Sequence, residues 1–216
     1  MHRVLAIFAH PDDESFGPGG TLALWARQGA EIHSLCVTCG DAGRNHTKFD
    51  TAQVRCRELR CAAKVLGIKK VSFLRFQDGK LSNADLPSLM KKISRHVRLF
   101  QPDTLLTFDL NGVSGHIDHI VVASAVSKVF HDAKLVPALY FFTLPIELAQ
   151  RMMNYFVYVP KGKKRNEVDE IIDVSSVWET KITAINQHQT QKKDIQEMLA
   201  KTSDLPKVEY FMVSRI

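Results

Sequence analysis

Seven residues near the start of the chain, Arg3-Val4-Leu5-Ala6-Ile7-Phe8-Ala9, form an apolar-rich run that stops abruptly at His10-Pro11-Asp12-Asp13-Glu14. Such a run reads as a buried first strand. The charged cluster therefore falls at that strand's carboxyl end, beside a core. Three carboxylates and an imidazole are costly there, because like charges repel and partial burial penalises each ionised group. A divalent cation removes the penalty.

The rest of the chain alternates strand and helix. Residues 18–29 read as a helix after the Gly17-Pro18-Gly19-Gly20 turn, and 31–38 as the next strand. In 51–67, Val54, Leu59, Ala62, Ala63 and Leu66 recur at helical spacing and Gly67 ends the helix. A strand at 70–75, a helix at 84–100 capped by Asn83 or Asp85, and a strand at 103–108 follow. A polar loop, Asp109 to Gly115, then leads into a helix at 117–130. Further strand-like runs occupy 137–143, 154–159, 170–174 and 208–213, with one long helix at 176–199 before the last.

Four early βα units imply a Rossmann-like α/β fold: a doubly wound, mostly parallel sheet with helices on both faces. Extra strands or a hairpin are expected in the C-terminal third, from 137 to 175. With no repeat or linker, 1–216 reads as a single domain. Ligands in such sheets bind beyond the carboxyl strand ends, where strand order reverses.

Composition excludes several classes. No apolar stretch is long enough to span a bilayer, and the N-terminus carries no signal-peptide pattern, so a cytoplasmic location is expected. The net charge of +6 is modest. Its densest tract, Lys161-Gly162-Lys163-Lys164-Arg165, reads as a solvated hairpin tip, with a patch for phosphate-bearing ligands as the sharper alternative. No aromatics interleave with these charges, so no nucleic-acid partner is expected. Cys36, Cys39, Cys56 and Cys61 read as ordinary thiols, not a disulfide framework. Phe141, Phe142 and Phe156 suit a core or a self-association surface equally, leaving a homo-oligomer open.

A second cluster, His116-Ile117-Asp118-His119, opens a helix more than a hundred residues after the first. His10 and Asp13, three apart in a turn, can aim at one point with one of the downstream histidines, giving a two-histidine, one-carboxylate site with a position left for water. Asp12 is placed to take a proton from that water. The remaining histidine can stabilise an oxyanion or protonate a leaving amine, and Asp118 can orient a neighbouring imidazole.

Ala9-His10-Pro11-Asp12-Asp13-Glu14 closely resembles the signature of the PIG-L/LmbE family of zinc-dependent N-deacetylases. Gly115-His116-Ile117-Asp118-His119 is similar to the family's second motif, usually His-Pro-Asp-His, with Ile117 in place of the proline. Thr38-Cys39-Gly40-Asp41-Ala42-Gly43, the Arg55-to-Ala63 helix with its Arg-x-x-Glu-Leu pattern, Asp78-Gly79-Lys80-Leu81, and Asp173-Val174-Ser175, Lys181 and Gln187 to Gln191 extend the likeness over nearly the whole chain.

The resemblance implies His10, Asp13 and His119 as ligands of Zn2+ or another divalent metal. It implies Asp12 as general base and His116, partnered by Asp118, as the group that polarises the intermediate. Arg55 and Asp78 would contact substrate hydroxyls or phosphate, and Glu14 would hold a loop or ligand. Some members carry a tyrosine where this chain has Ser114. The expected activity is removal of an acetyl group from an N-acetylglucosamine-type amino sugar or conjugate. A thiol–sugar conjugate, an acylated antibiotic, or a metal- or nucleotide-binding module without turnover are the alternatives. His188 matches the family's register and is open between a role at the site and packing. His2, His33, His46, His96 and His131 read as solvated or packed, Trp25 and Trp178 as anchors, and Arg44 and Asn45 as a solvated loop.

Overall fold

Every residue from Val4 to Phe8 is buried, so β1 (Arg3–Phe8) is covered on both faces and must run through the middle of a layered structure. The structure, a computed structural model, describes residues 1–43, 50–152 and 160–216. In chain order, β1 is followed by α1 (Asp13–Phe16), α2 (Gly19–Arg27), β2 (Glu31–Thr38), α3 (Thr51–Leu66), β3 (Lys70–Phe76), α4 (Leu86–Phe100) and β4 (Thr104–Phe108). Then come α5 (Gly112–Gly115), α6 (Ile117–Ala133), β5 (Ala138–Thr143), α7 (Ile146–Arg151), β6 (Glu170–Asp173), α8 (Trp178–Ile185), α9 (Lys192–Thr202) and β7 (Val208–Arg215).

The strands form one sheet in the order β3-β2-β1-β4-β5-β7-β6. The first five are parallel, and β7 runs antiparallel to both its neighbours. Right-handed crossovers put α2 and α3 on one face as the sheet grows from β1 to β3. The return from β3 to β4 and on to β5 puts α4 and α6 on the other. The packing of α2, α3 and α8 together, and of α4 with α6, agrees with this. The order therefore reverses between β1 and β4, whose carboxyl ends carry the two charged clusters.

Local chemistry sets the helix limits. The Asp50 side chain accepts the Gln53 N–H to start α3, and Gly67 ends it at φ 80°. Asp85, not Asn83, caps α4 by accepting the Ser88 N–H.

Three expectations are corrected. The single helix at 176–199 is two, α8 and α9. The break falls where His188 turns inward to Glu14 and Thr190 binds Glu58, contacts taken in place of continued helical bonds. The added strands are not a local hairpin: β7 inserts between β5 and β6, so β6 meets the C-terminal strand instead. The basic tract is not a free tip, because Lys163 pairs in parallel with the 144–146 backbone. Short helices α1 and α7 were not expected. The strand-like run at 154–159, with Phe156, and Arg44, Asn45 and His46 lie outside the described residues. Phe141 and Phe142 are core. Among the described residues no helix is long and apolar enough to cross a membrane.

Candidate metal centre and its surroundings

The turn after β1 is tight because the chain goes from a buried strand into α1 within four residues. Asp12 takes up this bend at φ 139° and ψ −27°, a conformation L-residues rarely adopt. Such strain costs about 1–3 kcal/mol and persists only where the surroundings over-determine it. Here they do. Ser15 and Phe16 donate their N–H groups to the Asp12 carbonyl, both at 2.9 Å, and the Asp12 N–H donates to Glu14 Oε2 at 3.1 Å.

The bend aims His10, Asp12 and Asp13 beyond the sheet, and the loop after β4 brings His119 to meet them. His10 Nδ1 lies 3.2 Å from His119 Nε2. Asp13 Oδ1 is 3.3 Å from His119 Nε2, and Asp13 Oδ2 is 3.7 Å from His10 Nδ1. Ligands in a tetrahedron around zinc, with bonds of ~2.0–2.1 Å, stand about 3.3 Å apart. The donor set and its spacing thus fit a divalent cation.

The far edges of both rings are held. His10 Nε2 faces Asp78 Oδ1 at 2.9 Å and Asp118 Oδ2 at 3.3 Å. His119 Nδ1 lies 3.0 Å from the Gly112 carbonyl, and its ring stacks on Phe108 at 4.0 Å. Acceptors on the outer nitrogens favour N–H there, so the inner nitrogens are the ones that would offer lone pairs to a cation. Gly112, at φ 75°, is where that carbonyl turns toward the ring, and a Cβ would strike Ile120.

Two compact sets of donor atoms share His10: one with His116 and His119, and one on the other edge of the ring with Asp78 and Asp118. The latter is the more buried. It is already spent on the protein. The Asp118 carboxylate accepts the N–H groups of Gly79 and Leu81 at 2.8 and 3.1 Å, and Asp78 accepts that of Ala42 at 3.0 Å. The Asp118 bonds tie the loop after β3 to the start of α6, and the Asp78 bond ties it to the loop after β2.

Charge balance follows from this crowding. Burial works against an imidazolium at His10, yet the hydrogen bonds to Asp118 and Asp78 and the charge of Asp13 push its pKa up to about 10. Burial works against the Asp13 carboxylate, but the facing His119 and His10 hold its pKa well below the usual range. Asp12 goes the other way. Burial raises its pKa to about 6, with Arg55 pulling it down and Asp13 pushing it up. A carboxylate that titrates near neutrality suits a general base.

Arg55 from α3 holds that carboxylate. Its Nη2 donates to Asp12 Oδ2 and to the Pro11 carbonyl, both at 3.0 Å, and Nη1 donates to the Gly40 carbonyl at 3.2 Å. The loop after β2 closes directly on the guanidinium. Any Cβ at Gly40, which sits at φ 70°, or at Gly43 would meet it at 2.5 Å. This is the physical reason for the glycines of the Thr38-to-Gly43 segment.

His116 is exposed beside the pair, its ring centroid 4.8 Å from His10 and 5.0 Å from His119. Its Nδ1 accepts the Asp118 backbone N–H at 3.1 Å, and burial together with the two neighbouring rings lowers its pKa. A neutral ring with N–H at Nε2 results. The Asp118 carboxylate therefore partners His10 and the 79–81 backbone, and only its main chain reaches His116. This departs from the expected Asp118–His116 pairing. Arg55 and Asp78, expected to meet substrate, are buried and engaged with Asp12 and His10.

Of the supports around the site, Glu14 and His188 stand among the sequence candidates, whereas Glu58 had no expected role. His188, fully buried, lies with Nε2 3.0 Å from Glu14 Oε1. Glu58 accepts both the N–H and the hydroxyl of Thr190. The three-residue spacing of Arg55 and Glu58 was the available signal, because it puts both on one side of α3.

Asp12, Asp13 and His119 lie at the end of a cavity of about 490 Å3. Its other walls are mostly apolar, among them Phe16, Phe108, Phe142, Leu148, Trp178 and Met198, with Arg165 of the basic tract.

Comparisons with known proteins agree with this geometry. Residues 5–130 match the family model described as PIG-L: GlcNAc-PI de-N-acetylase. A Bacillus cereus protein named "Probable N-acetyl-alpha-D-glucosaminyl L-malate deacetylase 2" is 30% identical over 204 residues, covering 90% of this chain and 86% of its own. Among solved structures, the N,N'-diacetylchitobiose deacetylase from Pyrococcus horikoshii superposes with a TM-score of 0.74 at 21% identity, over 99% of this chain and 84% of that one. The 4-carboxy-2-hydroxymuconate hydratase from Pseudomonas putida KT2440 gives 0.76 at 23% identity, over 100% and 98%. These two likenesses show the fold alone, and the hydratase makes the point that this sheet does not dictate one reaction. The sequence match spans more than half the chain and both charged clusters, and the chain belongs to the PIG-L family of metal-dependent N-deacetylases.

Proposed function

We propose that the protein hydrolyses the acetamide of an N-acetylglucosamine-type amino sugar conjugate, with a zinc ion held by His10, Asp13 and His119. The observation that carries this reading is the convergence of His10 Nδ1, His119 Nε2 and the Asp13 carboxylate, with contacts of 3.2–3.7 Å, beside a carboxylate, Asp12, that is left out of the triangle. The family description and the name of the Bacillus cereus relative both contain an N-acetylglucosamine unit, which supports the sugar.

When bound, the cation supplies Lewis acidity toward water and the amide carbonyl. Asp12, oriented by Arg55, accepts a proton from the attacking water at its unshared oxygen, and the new C–O bond forms. The His116 Nε2–H donates to the carbonyl oxygen as negative charge grows there. The C–N bond then breaks as the proton held by Asp12 passes to the nitrogen, so the amine leaves free and acetic acid departs, ionising to acetate in solution. Asp78 and Asp118 keep His10 oriented throughout.

A cavity of about 490 Å3 falls within the range that holds drug-sized ligands, ~300–1,000 Å3, so a sugar with a sizeable aglycone fits better than a free monosaccharide. Four free cysteines, three of them buried, favour a reducing compartment, and the cytoplasm is the proposed location. The test is acetate release from N-acetylglucosamine, its phosphatidylinositol and malate conjugates, and longer-acyl variants, by wild type and Asp12→Asn. Release by wild type, with loss of most turnover but retained zinc in Asp12→Asn, is expected. Equal turnover by both proteins excludes Asp12 as the base, and zinc-loaded wild type that releases acid from none of these sugars excludes the substrate class.

A further inference from the structure

We propose that His188 is a positioning residue for Asp12, acting through Glu14. The imidazole is fully buried, nearly 180 residues along the chain from the site, and its Nε2 donates to Glu14 Oε1 at 3.0 Å. The other oxygen of the same carboxylate, Oε2, accepts the Asp12 N–H at 3.1 Å. One buried carboxylate thus links the His188 ring to the peptide whose φ of 139° aims the Asp12 side chain.

Packing alone does not account for the histidine. Its Nδ1 is buried without a hydrogen-bond partner, a cost an apolar side chain of similar size avoids. The residue is held in place with some care. Glu58 clamps Thr190 through both its N–H and its hydroxyl, at 2.8 and 2.6 Å, which fixes the turn carrying His188. Glu58 lies one helical turn from Arg55, so α3 steadies Asp12 twice. Arg55 holds the side chain, and Glu58, through the 188–190 turn and Glu14, holds the backbone. Glu14 cannot do this alone, because a buried carboxylate needs a donor on its second oxygen to stay oriented. Ser15 Oγ, 2.5 Å from Oε1, comes from the same short helix and moves with it.

The inference rests on the reading of Asp12 as the base, and the two fail differently. An active Asp12→Asn enzyme overturns that reading whatever His188 does. The test of the positioning role uses His188→Leu, which removes the donor, and His188→Gln, whose amide N–H can still reach Glu14. In zinc-loaded protein, His188→Leu should lower kcat by about tenfold or more with KM changed by less than about twofold, and His188→Gln should recover most of the loss. In Asp12→Asn, adding His188→Leu should lower the residual rate no further. In metal-free protein, NMR hydrogen exchange at the Asp12 amide should be about tenfold faster in His188→Leu than in wild type.

A His188→Leu protein with wild-type kcat and wild-type Asp12 protection overturns the proposal. So does an equal loss in the Asp12→Asn background, which marks a general structural effect. Should His188→Leu fail to fold, Glu14→Met decides: it leaves the Asp12 N–H and His188 without their common acceptor, so the same loss of rate and of Asp12 protection is expected, and wild-type behaviour overturns the proposal.

Discussion

The Arg55 guanidinium donates to Asp12 Oδ2 and to the Pro11 carbonyl from a single nitrogen, both at 3.0 Å, so a helix from the far side of the β2 loop sets the position of the carboxylate beside His10 and Asp13. The guanidinium also sets when that carboxylate can accept a proton: burial raises the Asp12 pKa to about 6 even though the Arg55 charge opposes the rise. Removing it by Arg55→Met therefore raises the pKa, and the acid limb of the kcat/KM profile should move to higher pH by about 1–3 pH units. An unmoved limb separates Arg55 from the titration of the base.

Asp78 and Asp118 touch no inner nitrogen, yet they fix the His10 ring and load negative charge behind it. Outer partners of this kind are typically worth about 10–100-fold in metal affinity. Asp118→Asn should weaken zinc binding by that order in a chelator competition, and Asp78→Asn should do likewise. Unchanged affinity with lost activity assigns them to substrate instead.

In metal-free protein the same carboxylates hold a proton on His10, whose pKa is raised from 6.5 to about 10. The sign follows directly: this contribution to stability is complete below about pH 6.5 and is lost as pH rises through about 10. A cation must displace that proton to reach Nδ1. Zinc titrations near pH 8, in buffers of different ionisation enthalpy, should show proton release, and the affinity should climb with pH. Binding without release contradicts the assignment of His10 as a ligand.

On the other wall of the cavity, Lys181 Nζ donates to Glu209 Oε1 at 2.6 Å and to the Gly17 carbonyl at 2.7 Å. Glu209 also accepts the N–H groups of Gly20 and Thr21, closing the start of α2. Both side chains are buried, so Lys181→Met strands a charge, and breaking such a pair costs about 3–5 kcal/mol. Thermal or urea unfolding of the metal-free protein should register the loss, and a change under about 1 kcal/mol contradicts a structural role for the pair.

What the sequence made legible was whatever depends on local pattern. The apolar run into β1, the helical spacing of Leu59, Ala62 and Leu66, and the two charged clusters at carboxyl strand ends lead to the sheet and to the meeting of His10 with His119. Hidden from it were the long-range choices. Nothing near Asp118 says that its carboxylate turns to His10 and the Gly79 N–H while only its backbone reaches His116. The 176–199 segment has a helical pattern throughout, and only a tertiary contact with Glu14 explains its break at His188. The insertion of β7 between β5 and β6 is likewise a pairing decision made across the sheet, which strand periodicity does not encode.

The most direct test is anomalous diffraction at the zinc edge from crystals of zinc-loaded protein. The account predicts one strong peak among His10 Nδ1, the Asp13 carboxylate and His119 Nε2, open to the cavity. A peak on the opposite edge of the ring, among His10 Nε2, Asp78 and Asp118, or none at either place, contradicts it.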